Sequence, residues 1–408
     1  MPGVSAYPSL ASYPAWGDVA RGWPELSDFT MTTLSEANAK FAIDFYHRLV
    51  HEHPCENVLF SPVNLTAAVG LLFYASGCDT AAHLEKVPDY ECEKLTAVHT
   101  AFHRILAELN KPSTNYELSF ANRLYGDQSI AFLQKFLYCA LKLYLTEVDG
   151  ADIYNAPEEV RRLINLWVEV QTHGKIQDLL PKDSFDCLAQ LLHVNALYFK
   201  GQWDVKFDKE LTRLTFCFPS YFSQDICTNV QLMYRKGQYN IGTIEECGVQ
   251  VLEIPYRNNE LSLFILLPRD CDPESLQQLE DGLSYDQLLN WSCILKPEEV
   301  EVVIPKFSLE KSVEVNAYLD LSPLTDPEKA DLSGATTTEG VALTHLVHDT
   351  FIEIDEEGSE EAEAPACPRD RRPRQEPKAF LANHPFLYFV LHKCTQSFIA
   401  FGKFARPE

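Results

Sequence analysis

The chain is 408 residues long, 46% hydrophobic and strongly acidic, with a formal net charge of −25 and an isoelectric point near 4.8. That apolar content supports a large core, while the acidity excludes the basic footprint that nucleic acid or an anionic membrane surface rewards. Twelve cysteines lie scattered from Cys55 to Cys394 with no C-x-x-C and no metal-like spacing, so free, reduced thiols in a cytosolic compartment are expected.

Residues 1–30 are rich in proline, glycine and aromatics, show no period, and read as a loose N-terminal extension. No basic segment followed by an apolar one marks a secretory signal, and no run of eighteen apolar residues is available to span a membrane. A cytoplasmic protein is expected, with nuclear entry or leaderless release left open. The acceptor patterns Asn64-Leu65-Thr66 and Asn290-Trp291-Ser292 are then expected to stay unmodified.

From Ser35 the pattern turns helical. Ala37, Phe41, Phe45 and Leu49 recur every four residues, with Ser35 placed to cap them. Ser61-Pro62 sets a capping hydroxyl before a proline at the first helical position and opens an apolar helix to about Tyr74. Further helical patterns occupy 80–110, 130–145 and 157–173. Strands are predicted at Leu118–Tyr125, Leu191–Phe199, Val249–Ile254, Leu261–Leu267, Val300–Ile304 and Phe386–Leu391, and Ser397–Phe404 closes a hairpin with the last of these. Helices dominate the first half and strands the second, which predicts an α+β fold rather than alternating βαβ units. No interior linker divides residues 31–408, so one large domain is expected.

No phosphate loop, dinucleotide fingerprint, zincin helix or nucleophile elbow occurs, so an enzyme is not expected, and neither is a cofactor. The short run His51-Glu52-His53-Pro54-Cys55 reads as the polar end of a helix rather than a metal site. What stands out is the stretch EEGSEEAEAPACPRDRRPRQEPKA, residues 356–379, which suits neither helix nor strand. So long an irregular segment inside one domain is usually functional. Arg369, Arg371, Arg372 and Arg374 make it the first target of a trypsin-like protease.

Six motifs in chain order resemble the serpins, and specifically their intracellular ovalbumin-type branch. They are Asn57-Val-Leu-Phe-Ser-Pro62, Asn165-Leu-Trp-Val-Glu169 with Gln171-Thr-His-Gly-Lys175, Val194-Asn-Ala-Leu-Tyr-Phe-Lys-Gly-Gln-Trp203, Leu252-Glu-Ile-Pro-Tyr256, Leu381-Ala-Asn-His-Pro-Phe386, and the opening Met31-Thr-Thr-Leu-Ser-Glu-Ala-Asn38. The resemblance implies three β-sheets, about eight or nine helices and an exposed reactive-centre loop. It also implies a mechanism: a serine protease cuts the loop, which inserts as a new strand into the large sheet and drags the attached enzyme with it. Such a sheet must be a kinetic trap rather than an equilibrium minimum. By the same resemblance Glu356, Glu357, Gly358 and Ser359 form the loop's hinge. Ser61, Asn195 and His348 form a polar cluster where the sheet opens, the shutter, and Trp203 marks the point of first insertion, the breach.

In that branch the residue before the cut lies fourteen positions after the hinge glycine and thirteen before the proline of N-H-P-F. Both counts, from Gly358 and from Pro385, select Arg372. The expected partner is a trypsin-like or furin-like serine protease, met by a monomer. Pro373, on the leaving side of that bond, is a residue most serine proteases reject; Arg374-Gln375 is the alternative bond. On insertion, alternation would turn Ser359, Glu361, Glu363 and Pro365 into the core. Two carboxylates and a proline there oppose insertion, through desolvation and a lost ladder donor. The segment Tyr318–Asp331 is also shorter than the family's. A non-inhibitory serpin, acting as partner-binding protein or protease substrate, is therefore the second expectation.

Overall fold

The computed structural model describes residues 28–77, 80–81, 95–220, 223–358 and 377–408, with side chains omitted for 28–33, 95–96, 216–220 and 223–228. The first half runs α1 (Asp28–Glu52), β1 (Val58–Phe60), α2 (Pro62–Ala75), α3 (Leu95–Leu109), β2 (Tyr116–Asp127), α4 (Gln134–Tyr144), β3 (Glu147–Ala151), α5 (Pro157–Gln171) and β4 (Leu191–Gly201). The second continues with β5 (Arg213–Ser220), β6 (Ser223–Ile244), β7 (Val249–Pro255), β8 (Leu261–Pro268), α6 (Pro273–Asp281), α7 (Tyr285–Ile294), β9 (Lys296–Pro305) and β10 (Phe307–Glu314). It ends with α8 (Ser322–Thr325), β11 (Leu343–Ile354), β12 (Lys378–Leu381), β13 (Phe386–His392) and β14 (Ser397–Phe404).

The strands form two hydrogen-bonded networks. One has five strands in the order β10-β11-β4-β2-β3; the other has nine, running β1-β14-β13-β8-β7-β6-β9-β12 with β5 on β6. The larger network is two sheets sharing one long strand. Residues 232–241 of β6 pair with β9, and its end, 240–244, pairs with β7. With the five-stranded sheet, this gives the three sheets expected of an α+β serpin fold.

The five-stranded sheet is central because both its faces are covered. In β4, LLHVNALYFKG, every residue but Lys200 is buried, as a strand packed on both sides must be. Leu191, Leu197 and Phe199 join the main core, while Leu192, Val194 and Ala196 join a second core with Val160, Ile164 and Val168 of α5. On the main-core side lies α2, buried along almost its whole length, which explains its lack of a polar face. α5 begins at Pro157 with Glu158 and Glu159 in its first turn, an arrangement that suits both the missing N–H and the helix dipole.

Two details of the helical expectation are corrected. α1 starts at Asp28, so Ser35 sits inside the helix rather than at its cap, and its hydroxyl donates 2.7 Å to the Thr395 carbonyl instead. Ser61 does occupy the N-cap position of α2, but its side chain makes no capping bond and its buried oxygen has no partner. The helix start is fixed by Pro62 and by the Ser61 carbonyl, which accepts from Leu65 N–H at 2.9 Å, while the Ser61 N–H is committed elsewhere.

Candidate functional site

β11 and β4 are parallel neighbours, in register from His345/Leu192 to Glu353/Lys200, with an irregularity at Thr344 that separates this run from the Leu343/Leu191 pair. Each has an antiparallel neighbour on its far side, β10 for β11 and β2 for β4. The seam between them is therefore a parallel ladder set between antiparallel ones, and parallel pairing is the less stable per residue. A strand running back from the top of β11 would enter antiparallel to both neighbours and exchange one parallel ladder for two antiparallel ones.

A polar cluster crosses this seam. His348 of β11 lies opposite Asn195 of β4, and both are wholly buried. The Ser61 backbone N–H donates 2.9 Å to Nε2 of His348, which leaves the ring proton on Nδ1, where it bonds the Asn195 side-chain oxygen. The Thr350 hydroxyl lies 3.1 Å from the same Nε2. The amide of Asn195 then donates to the Asn64 carbonyl (3.1 Å) and to Asn122 (3.0 Å), and Asn122 returns a bond of 2.6 Å to the Asn64 side chain. Ser61, Asn195 and His348 thus lie in one network, with Asn64, Asn122 and Thr350 as further members. The network joins α2, β2, β4 and β11, so parting the seam breaks it.

Burial holds His348 down to about 3 and likewise His193, two residues earlier than Asn195 on β4, whose ring nitrogens have no partner among the described residues. The sign follows from linkage. A histidine depressed below its unfolded value of about 6.5 leaves the unfolded state binding the extra proton as pH falls, so native stability drops below about pH 6.5. Each such group costs up to about 1.4 kcal/mol per pH unit. The buried carboxyl of Asp349, pushed well up by burial and by Glu310, acts in the opposite direction. His193→Leu is accordingly expected to raise the unfolding midpoint and to flatten its fall between pH 6.5 and 4.5; an unchanged slope would show that His193 titrates normally.

At the top of the seam the chain beyond β11 is fastened to the segment beyond β4. Trp203 donates its backbone N–H 2.9 Å to the Glu357 carbonyl and its indole N–H 2.6 Å to the Asp355 carbonyl, and Phe207 N–H reaches the Glu356 carbonyl at 3.0 Å. The indole, 1% exposed, stacks on Tyr256 at 4.4 Å with 7° between planes. Gly358 forms an isolated parallel bridge with Trp203, so close that a Cβ there would lie 2.7 Å from the Trp203 carbonyl oxygen. Only glycine fits this approach.

Ion pairs complete the closure. On one face Lys200 meets Glu353 (3.1 Å), Asp355 (2.9 Å) and Glu357 (3.4 Å), and Lys175 also reaches Glu353 at 2.9 Å. On the other, Glu356 receives Lys306 at 2.7 Å and the Thr212 hydroxyl at 2.9 Å. Burial pushes the Glu356 carboxyl up, but Lys306 and Thr212 outweigh it and hold the group below its ordinary range. Glu353 behaves alike: burial raises it, and Lys175 and Lys200 bring it below normal. Lys200, discouraged by burial, is raised overall by Asp355 and Glu353. Sequence reading named Glu356, Glu357, Gly358 and Trp203 but missed this clasp. Its signal was there: the single charge in β4, and acids at 353, 355 and 357, which share one face of an extended chain.

Ser359, Glu361, Glu363, Pro365, Arg372, Pro373, Arg374 and Gln375 lie outside the described residues. Among the described residues no group of acidic, histidine or cysteine side chains is placed to hold a metal ion, and seven cysteines, Cys55, Cys139, Cys187, Cys247, Cys271, Cys293 and Cys394, are free thiols. No described helix is long and apolar enough to cross a membrane.

The site is thus a central sheet with a parallel seam set between antiparallel ladders, bridged by a buried polar network and, at the Trp203 end, by ion pairs. The family described as serpin (serine protease inhibitor) matches residues 36–407. Serpin B3 of Homo sapiens is 34% identical over 396 residues, and the leukocyte elastase inhibitor of Homo sapiens 37% over 387, each covering 92% of this chain and 100% of the relative. Uncleaved ovalbumin superposes with a TM-score of 0.83 at 27% identity, over 92% of this chain and 100% of that one. The chain belongs to the serpin family, in its ovalbumin-type branch.

Proposed function

We propose that this serpin offers an arginine bait to trypsin-like or furin-like serine proteases and traps them by loop insertion, the cut bond being Arg372-Pro373 or Arg374-Gln375. The observation that supports this most is the β4–β11 seam: its weak parallel ladder opens directly below Asp355–Gly358, the segment from which the loop departs. A loop cut after Arg372 and still joined at Gly358 has the length to run back along this seam. The protein acts as an inhibitor rather than a catalyst, and needs no cofactor.

Glu361, Glu363 and Pro365 favour a second reading, a serpin whose loop is cut without inserting. One pair of melts separates the two. Nicking the loop with trypsin is expected to raise the thermal midpoint by tens of degrees if the loop inserts, and incubation with the protease is expected to leave a covalent complex on a denaturing gel. An unchanged midpoint with clean cleavage by every protease tested would assign the protein to the partner-binding, non-inhibitory class.

A further inference from the structure

The five most exposed large hydrophobic side chains among the described residues are Leu188 (75%), Tyr154 (66%), Val170 (63%), Leu163 (60%) and Leu166 (57%). Three of them share α5, spaced three and four apart, which stacks them in one stripe along its outer face. Tyr154 precedes this helix by three residues and lines a single depression with Leu188. Isolated exposed apolar residues need no explanation, but a contiguous stripe marks an interaction surface. The inner stripe, Val160, Ile164 and Val168, is already spent on the central sheet, so α5 is apolar on two sides.

The charges beside the stripe indicate what covers it. Arg161 and Arg162 are both drawn to Glu158, at 2.8 and 3.3 Å, whereas Glu159 and Glu169 form no ion pair among the described residues. Glu158 balances only one of the two arginines, so the three acids and two bases of α5 leave a net charge of −1, on a chain of net charge −25. That charge opposes a second copy, and three side chains fall short of the roughly 800 Å² per partner that a stable dimer buries. We propose that the outer face of α5 docks an amphipathic helical segment of another protein, with apolar residues at three- and four-residue spacing and lysine or arginine on its flanks.

The probe is a fluorescent eighteen-residue helical peptide with leucines at that spacing and lysines elsewhere, titrated into the full chain by anisotropy. Saturable binding that weakens with salt is expected, and the triple variant L163S/L166S/V170S, with its thermal midpoint unchanged, should bind at least tenfold more weakly. Three results would overturn the proposal: no binding, equal binding by the triple variant, or equal binding of a counterpart peptide carrying glutamates for lysines. Sedimentation showing a dimer that the triple variant abolishes would overturn it too, by giving the face to a second copy.

Discussion

Lys403→Ala is expected to destabilise the protein by about 3–5 kcal/mol, read from the shift in its urea unfolding midpoint. The Lys403 side chain on β14 is fully buried, its ammonium 3.0 Å from Glu280 of α6 and 2.8 Å from the Pro54 carbonyl. The other claim on Glu280 is the Tyr46 hydroxyl of α1, at 2.7 Å. Removing the lysine leaves a carboxylate, 7% exposed, facing one hydroxyl and no cation among the described residues. The double variant Lys403→Met with Glu280→Gln is expected to recover much of the loss, because it removes both charges and retains most of the packing. A loss below about 1 kcal/mol for the single variant would mean that water reaches this pair.

Trp203→Ala is expected to cost a similar amount, about 3–5 kcal/mol, through the cavity left against Tyr256 and Phe207. Its second effect is local. Without the indole N–H to Asp355, and with the supporting stack gone, the fastening of residues 355–358 loosens, and backbone amides at the upper ends of β11 and β4 should exchange with solvent sooner than those near His348. Trp203→Phe separates the two contributions, since it keeps an aromatic stack and gives up the one hydrogen bond, a loss of about 1 kcal/mol. Uniform exchange along β11 in the alanine variant would show that the indole serves packing alone.

The strands that sequence reading located well are those whose information is local. β4, β8 and β14 are runs in which most residues are apolar or aromatic, and their observed bounds fall within two residues of those expected. The bounds of β11, LTHLVHDTFIEI, are harder to read, because His348, Asp349 and Thr350 interrupt it at its centre. Those residues are tolerable in a buried strand only through β4, β10 and the start of α2, partners remote in sequence. The same distance hid the contacts of Asn64 and Asn122 with Asn195, and of Lys306 with Glu356. β6, with polar residues throughout and a change of partner midway, offers no single period to read. The expected helix over 80–110 is seen as Thr80-Ala81 and α3, with 82–94 outside the described residues.

The seam between β4 and β11 has a consequence for how the protein must be handled. An open slot does not distinguish the loop tethered at Gly358 from a strand of matching pattern on a neighbouring molecule; only proximity favours the former, through an effective concentration in the millimolar range for a short tether. On the proposed insertion mechanism, any treatment that loosens the Lys200 clasp before the loop is cut starts a contest decided by dilution. Heating or acidifying a concentrated sample should yield strand-linked chains of molecules, and the same treatment of a dilute one should yield monomers.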